Sequence, residues 1–407
     1  MLRKIEKFVA KALNNNIKLK QFIKHIYTLP FIFVGSFIFR TNLQGTSIHF
    51  GEIGKESFLG YYDIAPDNKD GLVLCHQTAN STFLDPNAEK KIEVALFHPN
   101  KPFNPIFSTK TSAYNWQQGS RLQWLSNNKF IFNDYDSKKN IYISRIIDIN
   151  DFNKEQVVQK PIQTLINDNE FLSLNYSRLA ALRPDYGYFN IDEAEIDLED
   201  YINDGIWKVD IKNEKETLLY SLENIINLDY QNHFSLCNHK INHLMMSPNK
   251  KNFLILHRIF KGNKRTGRLI LGDIEGSSLK LLPSDKMVSH YTWLDDNKVL
   301  AYLSMLDNED AYYVINVNNL NYTKPKNLNT IANGDGHPTL IDENNIITDT
   351  YPDRYGYQKI FMYNYKNDKV STIGSVKHYR KYKLVNRCDL HPKPSRSKNY
   401  FLFDSVF

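Results

Sequence analysis

The sequence predicts an all-β fold, a seven-bladed β-propeller preceded by a short basic amphipathic N-terminal segment, and two observations carry that expectation. One is a pattern of apolar strand, polar turn and apolar strand that occurs seven times between Tyr61 and the end of the chain. The other is its spacing: the turns fall 47 to 64 residues apart. Short strands recurring at a period of about 40–50 residues mark a propeller, because no blade can bury both of its faces alone.

The copies read, in chain order, YYDIAPDNKDGLVLCH from Tyr61, RLQWLSNNKFIFND from Arg121, SRLAALRPDYGYF from Ser177, NHLMMSPNKKNFLILHR from Asn242, HYTWLDDNKVLAYLS from His290, HPTLIDENNIITDTY from His337 and HPKPSRSKNYFLFDS from His391. Their turns are centred on Asp67, Asn127, Asp185, Asn249, Asp296, Glu343 and Ser397. The last copy stops after its second strand, so residues 46–53 are expected to supply a further strand there and close the ring, removing two exposed sheet edges. The domain division is therefore 1–45 for the N-terminal segment and 46–407 for the propeller.

Composition agrees with a folded chain of this kind. Of 407 residues 42% are hydrophobic and 13% aromatic, enough to bury a large core. The net charge of +6 sits mostly at the N-terminus, where Arg3, Lys4, Lys7, Lys11, Lys18, Lys20 and Lys24 meet only Glu6. A nucleic-acid binder carries its basic face along the folded domain, so that class of partner is excluded. Cys75, Cys237 and Cys388 are odd in number and far apart, which does not make a disulfide framework.

Residues 1–24 place Leu2, Ile5, Phe8, Val9, Leu13, Ile17, Leu19 and Phe22 at near-helical spacing among lysines, the pattern of a basic amphipathic helix. The apolar run 26–39 contains Pro30 and Gly35 and is shorter than the about 20 residues of a membrane span. No small-residue cleavage site follows it. Three readings stay open: peripheral contact with an anionic membrane at the cytoplasmic side of the inner membrane, a helix packed on the domain, or a signal anchor that puts the propeller in the periplasm.

Blades are related by rotation, so equal offsets in the repeat mean equal height and radius. Six positions before each turn stand Tyr61, Arg121, Leu179, His243, His290, His337 and His391. Four consecutive histidines at the start of the innermost strands should converge on one mouth of the channel. Converging imidazoles with carboxylate or thiolate suit a divalent metal such as zinc or manganese. RCDLHP adds Cys388 and Asp389 beside His391, and GDGHP sets Gly334 and Gly336 around Asp335, just before His337. A cluster joined only by hydrogen bonds is the alternative.

Other polar groups end strands: His76, Asp134, His257, Asp349 and Asp404 read as blade-to-blade hydrogen bonds. Arg258, in LHR, is the exception, a guanidinium able to grip a carboxylate with two parallel bonds. In WQQGSRLQW, Trp116, Gln117, Gln118, Arg121 and Trp124 offer stacking faces and amide donors for a sugar ring, or else core.

The runs WQQGSRLQWL, NHLMMSP, LHR, GDGHP, TDTYPD and RCDLHP resemble the seven-bladed polysaccharide lyases of the oligogalacturonate and ulvan lyase kind, over about three quarters of the chain. The resemblance implies β-elimination on an acidic, uronate-containing polysaccharide. It makes Arg258 the carboxylate partner and His337, Cys388 and His391 metal ligands, completed by Asp389 or His290. His243, Tyr61 and Tyr176 are the candidate bases. Two other classes stay in view: a membrane-associated propeller without lyase activity that serves surface-polysaccharide assembly, and a protein-interaction scaffold.

Overall fold

In the strand Asn252–Lys261 the run Phe253–Leu254–Ile255–Leu256 is buried on both faces, as happens when a strand lies inside a stack of sheets. Turn chemistry ends such strands. Asn68 Oδ1 accepts the backbone N–H groups of Asp70 and Leu72 at 3.1 and 2.9 Å, and Lys250 takes a left-handed conformation at φ 61°. The computed structural model describes residues 40–306, 309–332 and 334–406, with Leu19, Ile23, Tyr27, Pro30, Phe31 and Phe33 of the N-terminal segment.

These residues form six antiparallel blades. Blade one is Glu56–Phe58, Val73–Thr78, Ile92–His98 and Lys101–Thr111; blade two is Gln123–Trp124, Lys129–Asp136, Ile141–Asp148 and Asp151–Val158. Blade three is Thr164–Asn167, Glu170–Ser173, Gly205–Asp210 and Lys215–Ser221; blade four is Asn238–Met246, Asn252–Lys261, Lys264–Asp273 and Leu279–Leu281. Blade five is Val288–Asp295, Lys298–Ser304, Asp310–Asn316 and Tyr322–Thr323. Blade six is Thr339–Leu340, Asn345–Asp349, Tyr357–Asn364 and Lys369–Lys377, with Asn42–Leu43 as a fifth strand.

The seven-bladed expectation is thereby corrected to six. The last copy makes only a two-stranded ladder, Lys393–Pro394 against Phe401–Leu402. That hairpin lies between blades six and one. Thr339 Oγ1 donates to the Pro392 carbonyl, and Asp404 accepts the N–H groups of Leu59 and Gly60 at 2.7 and 3.2 Å. The expected closing strand at 46–53 is absent as well; Asn42–Leu43 pairs instead with Gly374 and Ser375.

The third copy departs from the repeat as well. SRLAAL is the helix Tyr176–Leu182, capped by Asn175, whose side chain accepts the Arg178 N–H. The inner strands of blade three are Thr164–Asn167 and Glu170–Ser173, and residues 174–204 form an insertion between its second and third strands. Leu179 therefore lies in a helix and holds no ring position.

Elsewhere equal offsets do give equal contacts. Trp124 and Trp293, each three residues before its turn, donate Nε1–H to the carbonyls of Pro66 and Met245 in the preceding blades at 3.0 and 3.1 Å. The predicted N-terminal amphipathic helix falls largely outside the described residues. Of the described positions, Phe31 packs edge-on to Tyr355 at 5.8 Å and lies under Arg354 at 5.3 Å. Among the described residues no helix is long and apolar enough to cross a membrane.

Candidate metal and substrate site

Four histidines surround one tyrosine. The ring of Tyr62 lies 5.9, 5.8, 5.5 and 6.2 Å from those of His243, His290, His337 and His391. Its hydroxyl donates to the Tyr291 carbonyl at 3.0 Å, and Tyr291 in turn donates to the His243 carbonyl at 3.1 Å. Tyr62 is fully buried, so it fills the centre of the ring that the repeat predicts. His290 and His337 approach to 4.1 Å between centroids, and His337 and His391 to 4.4 Å.

Three of the four imidazoles are oriented by carboxylates. His243 Nε2 bonds Asp63 at 2.8 Å, His290 Nδ1 bonds Asp335 at 3.0 Å, and His337 Nδ1 bonds Asp349 at 2.9 Å. A carboxylate that takes one ring N–H fixes the tautomer and turns the other nitrogen into an acceptor. Burial disfavours the charged forms of His243 and His290 more than Asp63 and Asp335 favour them, so both titrate below the ordinary histidine range. At His337 burial is outweighed by Asp349 and Asp389, and its pKa is raised. Gly336 permits the last dyad, since a Cβ there would lie 1.9 Å from the Asp349 carbonyl oxygen.

His337, Asp389 and His391 bring one ligand atom each to within 4.8 Å of one another, the one such group among the described residues. All three are buried, and the Nε2 atoms of His337 and His391 have no hydrogen-bond partner. Buried polar atoms without partners are rare, and two imidazole nitrogens beside a carboxylate fit a divalent ion. His290 and Cys388, expected among the ligands, stand outside this group. Removal from water and the carboxylates of Asp404 and Asp389 push the Cys388 thiol far up, which keeps it a thiol.

The 174–204 insertion covers the mouth. Its Asp185 and Tyr186 meet Arg387, whose Nη1 lies 2.6 Å from Asp185, Nη2 2.9 Å from the Tyr186 hydroxyl and Nε 2.7 Å from Asp389. Tyr61 packs beneath, 6.0 Å from Tyr186, 5.0 Å from His243 and 5.0 Å from His391. Burial, with Tyr186 and Tyr62 nearby, raises its pKa well above the ordinary value, so it holds its proton. Arg258 is buried on blade four, donates Nη1 to the Val288 carbonyl at 2.6 Å and leaves Nε unpaired. Burial and neighbouring Arg183 pull it down to about 10.

The remaining expected substrate contacts go elsewhere. Arg121 is fully buried and forks onto Asp63 at 3.1 and 2.9 Å. Gln117 is buried and donates to the Arg387 carbonyl at 2.7 Å, while Trp116 donates to the Leu84 carbonyl and packs edge-on to Phe58. The sequence reading missed Asp63 and the orienting roles of Asp335 and Asp349, and it missed Arg387. Arg387 opens the RCDLHP run, and Asp63 lies two residues past the ring position Tyr61.

No family model matches this chain, and no curated protein does. Solved structures with a similar fold include TolB from Acinetobacter baumannii, at 10% identity and TM-score 0.39 over 72% of this chain and 61% of that one. An oligogalacturonate lyase in complex with manganese matches at 10% identity and TM-score 0.36, over 79% and 67%. The oligogalacturonate lyase of Vibrio parahaemolyticus matches at 12% identity and TM-score 0.39, over 87% and 94%. The chain thus spans about three fifths of the TolB chain. These likenesses concern fold and decide nothing about activity.

Proposed function

We propose that the protein is a carbohydrate-active propeller that acts on an acidic, uronate-containing polysaccharide by β-elimination. The observation that carries this reading is the pair of unpartnered Nε2 atoms of His337 and His391 beside Asp389. A divalent ion held there would act as a Lewis acid toward the uronate carboxylate.

The chain's own groups supply the rest. Arg258, with Nε free, pairs the carboxylate and spreads the charge that develops when the C5 proton leaves. His243, with Nε2 committed to Asp63, offers Nδ1 as the base for that proton. The electron pair forms the C4–C5 double bond, the C4–O bond breaks, and Tyr61, kept protonated by burial, returns a proton to the leaving oxygen. Access requires the 174–204 insertion to move away from Arg387.

The test is ultraviolet absorbance of the unsaturated uronate during incubation with a panel of acidic polysaccharides. A rise that Arg258→Ala abolishes supports the reading; no rise on any glycan sinks it.

A second reading, a membrane-associated propeller in surface-polysaccharide assembly, is favoured by one observation. Phe83, Leu84, Tyr379 and Leu384 are exposed together, with Lys381 over the Phe83 ring at 5.5 Å and Tyr382 against it at 6.3 Å. Apolar side chains among lysines suit an anionic bilayer surface. Flotation with anionic vesicles tests it.

A further inference from the structure

Two cations beneath the insertion lack an anion. Lys240 and Arg258 stand directly opposite each other in the ladder of blade four, so their side chains leave the sheet on the same face. They are 0% and 6% exposed. Lys240 Nζ makes one hydrogen bond, to the Leu179 carbonyl at 3.1 Å, and sits 5.6 Å from the centre of the Phe260 ring. Arg258 makes one, to the Val288 carbonyl, and its Nε has none. Asp185, the acidic group that acts on Lys240, is already engaged by Arg183 and Arg387, each at 2.6 Å.

Buried arginines elsewhere in this protein look different. Arg178 pairs with Asp204 and donates to the carbonyls of Asp197, Leu198, Asp200 and His239. Arg121 is held by Asp63 and the Gln163 carbonyl. Those guanidiniums are satisfied where they stand, as buried charge must be. Arg258 and Lys240 are not, and Arg183 adds a third positive charge that acts on both.

We infer that Arg258 and Lys240 form a buried receptor for an oxyanion, the carboxylate of an acidic sugar or a phosphate group, built from two cations and not from the His337–Asp389–His391 ligands. The proposed function already sets Arg258 against a substrate carboxylate, and the inference rests on that assignment alone. It adds Lys240 as the second arm and stands whether or not elimination follows. Two cations on one face that meet one oxyanion explain why neither is paired with a carboxylate of the protein. Burial and the charges of Arg183 and Arg258 lower the Lys240 pKa far below its ordinary value, against the weaker pull of Asp185.

The test is the thermal midpoint of the full chain with galacturonate, inorganic phosphate or neutral glucose, in the wild type, Lys240→Met and Arg258→Gln. The expected result is a rise on the order of 2 °C with galacturonate or phosphate and none with glucose, lost in both variants. Which anion acts distinguishes the sugar acid from the phosphate. Met is unbranched and only one atom shorter than Lys, and it removes a buried charge, so Lys240→Met decides the matter even if Arg258→Gln fails to fold. No rise with either anion in the wild type, or the same rise in Lys240→Met, overturns the receptor. An anion-dependent rise without elimination would leave the receptor intact and remove the lyase.

Discussion

Asp349 holds His337 twice: it accepts the backbone N–H at 2.7 Å and the Nδ1–H at 2.9 Å, which leaves Nε2 facing Asp389 and His391. The same carboxylate accepts the His391 N–H at 3.2 Å. One side chain therefore sets two of the three candidate ligands. Asp349→Asn should keep the fold and weaken binding of zinc or manganese by about 10–100-fold, read by isothermal titration. Equal affinity in the variant would detach Asp349 from the site.

The Arg121–Asp63 fork makes a stability prediction. Burial alone would raise the Asp63 pKa, but Arg121 and His243 hold it well below the usual carboxylate range. Arg121→Gln leaves that carboxylate buried without its cation and should cost about 3–5 kcal/mol in denaturant unfolding. A loss under 1 kcal/mol would return Arg121 to the list of substrate contacts.

Arg387 ties the insertion to the last copy through Asp185, Tyr186 and Asp389. Arg387→Ala should free the cover, so limited proteolysis between residues 183 and 204 should speed up severalfold while the blades stay resistant. Unchanged cleavage would mean that the insertion is held by its other contacts.

Acid should destabilise the protein progressively below about pH 6.5. Burial draws His76 down to about 3, with Nε2 accepting the Ser120 N–H at 3.0 Å. Unfolded, the ring protonates near 6.5, so the unfolded chain binds more protons between these values. Stability from His76 is complete above 6.5 and falls by about 1.4 kcal/mol per pH unit toward 3. His76→Gln should flatten that slope by one proton.

The parts legible in the sequence are those that a local rule fixes. Trp124 and Trp293 share an offset and make the same inter-blade bond, and the four histidines converge because they share another. The blade count failed where local chemistry resembled the repeat without forming it. LNYSRLAAL carries a helix cap and helix formers, while the true third blade turns on the short Asn167–Asp168–Asn169 step. The orienting acids were hidden for another reason. Asp63 reaches His243 across 180 positions of chain, and Asp335 reaches His290 across 45, so no local pattern links them.

The most direct test of the account is metal content. The chain is dialysed against manganese or zinc at neutral pH, freed of excess ion, and analysed by elemental mass spectrometry beside His337→Ala and His391→Ala. The account predicts one ion per chain in the wild type and a loss of at least about tenfold in occupancy in both variants. A wild type without bound metal, or variants that retain it, would contradict the claim that His337, Asp389 and His391 form the centre of the site.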